Sequence, residues 1–178
     1  MSKLTYTLTE LNALSIDDAR FAFMNCCTAA RWAETMLNSR PFTSIQHCHS
    51  RAAEVWNNME EVDFLEAFDG HPKIGDVSSL RQKYAHTKAL ATGEQSSVNS
   101  ADETTIQALA AGNAQYEAQN GFIFIVCATG KSAKEMLELL KIRLRNDRET
   151  ELALAAAQQA LITEIRLNKL LNTSDTDN

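Results

Sequence analysis

Five groups of residues carry side chains able to do chemistry. The first is His71-Pro72, within His71-Pro72-Lys73-Ile74-Gly75-Asp76. Proline fixes its own φ and pushes the preceding residue out of the helical region. His71 is therefore expected in extended geometry at a helix end, where an imidazole titrating near neutrality can act as acid or base. The plainer reading is a turn histidine whose ring nitrogen bonds a carbonyl. The second group is Glu94-Gln95, in Ala91-Thr92-Gly93-Glu94-Gln95. Gly93 admits unusual torsions, so the loop can turn this pair inward. Its carboxylate and carboxamide would suit recognition of an amide or urea. Alternatively, Glu94 is a solvated charge at a helix start.

The remaining groups are weaker. His47-Cys48-His49 has ligand chemistry but the wrong spacing. On a helix, residues one and two apart diverge by about 100° and 200°, so no metal site is expected. Gly130-Lys131-Ser132 ends like a phosphate loop, but the glycine required five residues earlier is Ile125. That leaves only the ordinary attraction of anions to a helix N-terminus. Arg143, Arg145 and Arg148 read as surface charge near a helix junction. Arg166 sits among apolar neighbours in Ile162-Thr163-Glu164-Ile165-Arg166-Leu167. A partly buried arginine needs an acidic partner or an anionic ligand.

Helices must position these groups. Glycine and proline number only six and two, and long stretches carry helix formers at helical period. Ser15 reads as the N-cap of a helix from Ile16, with Phe21, Met24 and Trp32 inward and a break near Thr28. Pro41 ends this region. Ser44 to Trp56 follows, burying Ile45, Ala52, Val55 and Trp56. Glu60 to Phe68 buries Val62, Leu65 and Phe68, and Gly70 stops it. Ser79 to Leu90 reads as helix, Ala91 to Ser100 as polar loop, and Ala101 to Gln119 as a long helix closed by Gly121. Phe122 to Cys127 is a β-prone run expected to be buried and extended. Ser132 or Lys131 opens a helix to about Asn146, and a last helix covers Arg148 to Leu171. The expectation is an all-α, single-domain bundle of seven to nine helices, with one short extended segment near 122–128 and a flexible tail from about 172.

Composition narrows the function classes. The 178 residues suit one domain with a sizeable core. Seventeen basic against 23 acidic residues give −6, without the dense basic face that nucleic acid requires. No apolar run approaches the roughly 18 residues of a membrane span. No signal-peptide core and no terminal Ser-Lys-Leu is visible, so a cytoplasmic location is expected. Cys26, Cys27, Cys48 and Cys127 form no C-x-x-C pair and read as reduced, mostly buried thiols.

Taken together, the motifs resemble one family. Phe68-x-Gly70-His71-Pro72-x-Ile74-Gly75 comes first, and Glu94-Gln95 begins 23 residues after the histidine. Gly121-Phe122-x-Phe124-x-Val126-Cys127-Ala128-Thr129-Gly130-Lys131-Ser132 follows. Then come Arg143-Leu144-x-Asn146-Asp147-x-x-x-x-Glu151-Leu152 and Ile165-Arg166-Leu167. The set, spread over about residues 8 to 171, resembles 2-oxo-4-hydroxy-4-carboxy-5-ureidoimidazoline (OHCU) decarboxylase, the last enzyme in converting urate to allantoin. The resemblance implies an all-α homodimer acting on a small ureidoimidazoline without metal or organic cofactor. It carries His71 over as catalytic acid/base and Glu94 as its partner. It carries Pro72, Gln95 and Arg166 over as substrate contacts, with the backbone of Phe124, Ile125, Val126, Cys127 and Ala128 lining the pocket. There is one departure: where the family often has serine three residues before the glutamate, this chain has Ala91. Thr92 or Ser96 could supply that hydroxyl. Two other readings stand beside this one. One is a cofactor-free lyase or hydrolase acting on another small ureide, and the other is a non-catalytic helical binding module.

Overall fold

Capping side chains set where several helices begin. Thr7 Oγ1 accepts from Glu10 N while the Glu10 carboxylate accepts from Thr7 N, both at 3.1 Å, and this box opens α1 (Leu8–Ala13). Serines do the same work later. Ser15 caps α2 (Ile16–Met24), Ser44 caps α4 (Ile45–Asn57) and Ser132 caps α8 (Ala133–Arg143), each accepting from the amide three residues on. The other helices are α3 (Ala30–Asn38), α5 (Glu61–Asp69), α6 (Val77–Leu90), α7 (Gln95–Asn120) and α9 (Arg148–Leu170). The computed structural model describes residues 5–72, 76–90 and 95–171, with backbone alone at 83, 85–90 and 95–102. The fold is all-α. Among the described residues the single β-type pairing is an isolated parallel bridge between Tyr6 and Leu171.

Several details differ from the sequence reading. Phe21 is 51% exposed and Val62 64% exposed, although both were expected inward. α2 turns Ala19, Ala22 and Phe23 to the core, and α5 turns Asp63, Ala67 and Phe68, so Phe21 and Val62 fall off those faces. α7 begins at Gln95, inside the expected loop; positions 91–94 lie outside the described residues. Residues 95–100 are polar apart from Val98 and include no glycine or proline, so nothing forbids helix there. α8 stops at Arg143 rather than near Asn146.

The helices gather into two compact units: residues 1–71 with 156–178, and residues 72–155. In the first, Phe23 packs edge-on against Trp32 and Phe42, with ring centroids 6.0 and 6.3 Å apart. The indole N–H groups of Trp32 and Trp56 donate to the carbonyls of Ala52 and Ala156, so neither ring is buried at the expense of its polar atom. Arg40 donates to the carbonyls of Leu37, Leu11 and Leu14 at 2.8–2.9 Å, tying the ends of α1 and α3 together.

In the second unit a charged cluster does the organising. Glu151 is fully buried and accepts from Tyr116 Oη at 2.6 Å, Arg143 Nε at 2.5 Å and Asn146 Nδ2 at 2.7 Å. Arg143 was expected on the surface; it is 8% exposed, because Glu151 supplies the partner that burial of a guanidinium demands. Its Nη1 donates to Ile125 O at 3.1 Å and its guanidinium lies 5.1 Å from the Phe124 ring centroid. The run 122–128 is thus held as irregular backbone outside any helix or paired strand, with Phe122 and Ile125 buried. Gly121 and Gly130 bracket it at φ +82° and +75°, values that glycine adopts without strain. Replacing Glu151 with leucine should strand Arg143 as an unpaired buried charge and destabilise the protein by roughly 3–5 kcal/mol. Urea unfolding checks this, and pairing the change with Arg143→Met should recover much of the loss.

Candidate active site

His71 is placed by the way α5 ends. The last turn of α5 leaves carbonyls without helical partners. Thr28 Oγ1 shares its proton between two carbonyls of that turn, Glu66 O at 3.1 Å and Ala67 O at 3.3 Å. In return, the Glu66 carboxylate accepts from Ala30 N at 2.5 Å. Ala29, the N-cap of α3, has no capping side chain, so Glu66 supplies the negative charge favoured at that helix start. The two helix ends therefore cap one another. Arg31 adds an ion pair to the buried Asp63 at 3.3 Å. Gly70 makes this approach possible. Its φ is an ordinary −74°, but a Cβ there would lie 2.0 Å from Thr28 Oγ1. The glycine is required by contact rather than by torsion. His71 N then donates to Phe68 O at 3.1 Å, holding the residue against the helix end.

The His71 ring meets α9. Its Nε2 is 2.5 Å from Gln159 Oε1, and Gln159 Nε2 donates to Thr163 Oγ1 at 3.0 Å. Arg166 Nη1 donates to Cys26 O at 3.4 Å. Gln159, Thr163 and Arg166 stand at i, i+4 and i+7, one stripe along a helix face. Burial lowers the His71 pKa from the ordinary histidine value, the Gln159 hydrogen bond partly opposes this, and the Arg166 charge lowers it further. At neutral pH the imidazole is a neutral base beside a fixed cation. Among the described residues Arg166 has no carboxylate within ion-pair distance, which leaves it able to meet an anionic or carbonyl oxygen.

The structure thus brings His71 and Arg166 into one electrostatic neighbourhood. Glu94 lies outside the described residues, and Gln95 is described only as the first residue of α7. Pro72 is exposed. Phe124, Ile125, Val126, Cys127 and Ala128 belong to the irregular run of the second unit. Three of its carbonyls already have internal donors: Arg143 on Ile125 O, Lys131 Nζ on Cys127 O at 2.9 Å, and Lys131 N on Ala128 O at 3.0 Å. Gln159 and Thr163 escaped the motif reading. Their signal was a polar pair at i, i+4 on the face that also buries Ala155, Ala156 and Leu167.

Other candidates fall away on geometry. His47 Nδ1 accepts from Thr43 N at 3.1 Å and its ring packs edge-on against Phe42, while Cys48 is buried. Burial pushes the thiols of Cys26 and Cys48 up to about 12 and that of Cys27 to about 11, which makes them inert. A cavity of about 280 Å³ between α4 and α9 is lined by His49, Trp56, Thr163, Glu164 and neighbours, but not by His71 or Arg166.

Two outcomes test this construction. Gly70→Ala should force Thr28 and the α5 end apart, destabilising the protein by about 1–3 kcal/mol in urea unfolding. The second concerns pH. Because the folded-state pKa of His71 is depressed, the unfolded chain binds its proton more readily. No penalty exists above the ordinary histidine range near ~6.5, and stability is lost as pH falls below it. Thermal unfolding of wild type should therefore worsen more between pH 8 and pH 5 than that of His71→Asn.

Residues 12–168 match the family model described as OHCU decarboxylase. A uric acid degradation bifunctional protein, TTL, of Arabidopsis thaliana is 36% identical over 148 residues, 83% of this chain and 45% of that protein. The chain thus spans less than half the length of that relative. The OHCU decarboxylase of Haloferax volcanii is 27% identical over 90% of this chain and 94% of its own. A crystal structure of OHCU decarboxylase in the presence of (S)-allantoin aligns with TM-score 0.65 at 36% identity, covering 83% of this chain and 94% of that one. With a family model matched over most of its length and helices in the arrangement of a solved member, the chain belongs to the OHCU decarboxylase family.

Proposed function

We propose that this protein decarboxylates 2-oxo-4-hydroxy-4-carboxy-5-ureidoimidazoline to (S)-allantoin and CO₂ without a cofactor. The observation that carries the proposal is the His71 imidazole, held neutral and half-buried beside the Arg166 cation in a chain of this family. The proposed substrate bears a carboxylate and a hydroxyl on one ring carbon, and its neighbouring carbon is an imine. As CO₂ leaves, the C–CO₂⁻ bond pair becomes a ring C=C, and the imine nitrogen takes a proton from solvent. The enol then loses its hydroxyl proton to a base, and a proton is placed on the neighbouring carbon. The face that receives it decides the hand of the product. The substrate supplies its own electron sink, so the protein needs to orient the carboxylate and move one proton.

His71 is the base and proton donor in this scheme, and Glu94 its partner. Arg166 holds a ring or ureido oxygen. A firm grip on the departing carboxylate would stabilise the ground state and oppose the reaction. Gln95, Pro72 and the backbone of 124–128 read the ring and ureido groups. Residue types and the family resemblance support these roles. A homodimer and a cytoplasmic location belong to the same proposal, the first on the resemblance and the second on composition; no described helix is long and apolar enough to cross a membrane.

The test follows freshly made urate-oxidation product by absorbance and circular dichroism. Wild type should accelerate its decay and yield one allantoin enantiomer. His71→Asn should lower that rate by about 10²–10⁴-fold while keeping the fold. Full activity in this variant overturns the proposal. Since the neutral ring is the active form and its pKa is depressed, the acid limb of kcat should fall below the ordinary histidine value of about 6.5.

A further inference from the structure

Gln159 belongs to none of the motifs that carry the family resemblance, yet it is the side chain that holds the His71 ring. It is fully buried, and both of its amide atoms are engaged. Oε1 faces His71 Nε2, and Nε2 donates to Thr163 Oγ1. Gln159 therefore presents a carbonyl oxygen to the imidazole, and a carbonyl oxygen only accepts.

We propose that Gln159 is a positioning residue that holds neutral His71 as the Nε2–H tautomer, so that Nδ1 carries the lone pair that takes the substrate proton. A neutral imidazole has one N–H and one lone pair, and the bond made by one nitrogen settles the role of the other. Gln159 does this without charge. A carboxylate at the same place would also orient the ring, but it would favour the imidazolium. The contact runs from His71 through Gln159 to Thr163, so the ring is referred to the stripe of α9. The catalytic half of this inference rests on the decarboxylase reading, while the tautomer can be read without any substrate.

The experiment is nitrogen NMR of the imidazole rings in protein labelled with ¹⁵N-histidine, recorded at about pH 8, above the histidine range. His71→Asn assigns the His71 signals, and the remaining histidines report that each variant is folded. Wild type should show a proton-bearing Nε2 and an unprotonated Nδ1. Gln159→Glu keeps an acceptor and should keep the proton on Nε2, with protonation of Nδ1 moved to higher pH. Gln159→Met removes the acceptor, and should yield a mixture of tautomers with kcat lowered roughly tenfold and KM changed by less than about twofold. Should the methionine variant not fold, Thr163→Val serves instead; it frees the amide to turn and should also yield a mixture. A wild-type ring protonated on Nδ1 overturns the proposal, as does an unchanged spectrum and kcat in the folded variant. A wild-type protein inert toward the substrate overturns the decarboxylase reading instead, and the ring spectra still decide the tautomer.

Discussion

The first unit depends on an exchange of caps between two helix ends. Thr28 covers the open carbonyls of α5, and Glu66 covers an open amide of α3. Neither helix has a complete local solution, because Ala29 offers no capping oxygen and α5 ends at a glycine with no positive φ. Each end supplies what the other lacks, and the exchange requires the backbones to meet at Gly70 with no room for a Cβ. His71 follows directly from that contact. Its position is a consequence of helix-end hydrogen bonding, an obligation that buried backbone cannot avoid.

The two units hold their important backbone and side chains by opposite electrostatic means. In the second, Arg143 and Glu151 form a buried clamp on the irregular run at Ile125. Charge-assisted bonds are the strong ones, which suits a clamp whose part is to hold backbone. In the first, the ring of His71 is held by an amide that a hydroxyl holds in turn, both neutral. A base must keep its lone pair near neutral pH, and a carboxylate against the ring would spend that lone pair on imidazolium formation. Burial and the Arg166 charge act in the same direction as this choice.

Helix existence was legible residue by residue. Ser15, Ser44 and Ser132 cap as expected, since capping is a local bargain between a side-chain oxygen and an amide three residues away. Gly121 was legible as the end of α7, which stops at Asn120. Orientation was harder. Phe21 and Val62 are apolar and near the right period, but which helix face meets the core is settled by neighbours distant in sequence. Arg143 was misread for the same reason. An arginine is a surface residue until a buried carboxylate, here eight positions on at Glu151, gives it a partner. Gln159 carried almost no local signal, because a buried amide on a helix face looks like any polar residue until its partners are known.

What the sequence by itself determined was chemical identity: a histidine stiffened by proline, an arginine in an apolar stretch, and a set of motifs whose spacing points to one family. Those are properties of residue types and short-range geometry, which neighbours along the chain suffice to specify. Only the tertiary structure decided how that histidine is held. Gly70 against Thr28 spans 42 positions and His71 against Gln159 spans 88. Contacts of that range exist only once helices pack, since packing brings the α5 end and the α9 stripe within hydrogen-bond distance. The proton's place on the ring is therefore a property of the fold rather than of the motif.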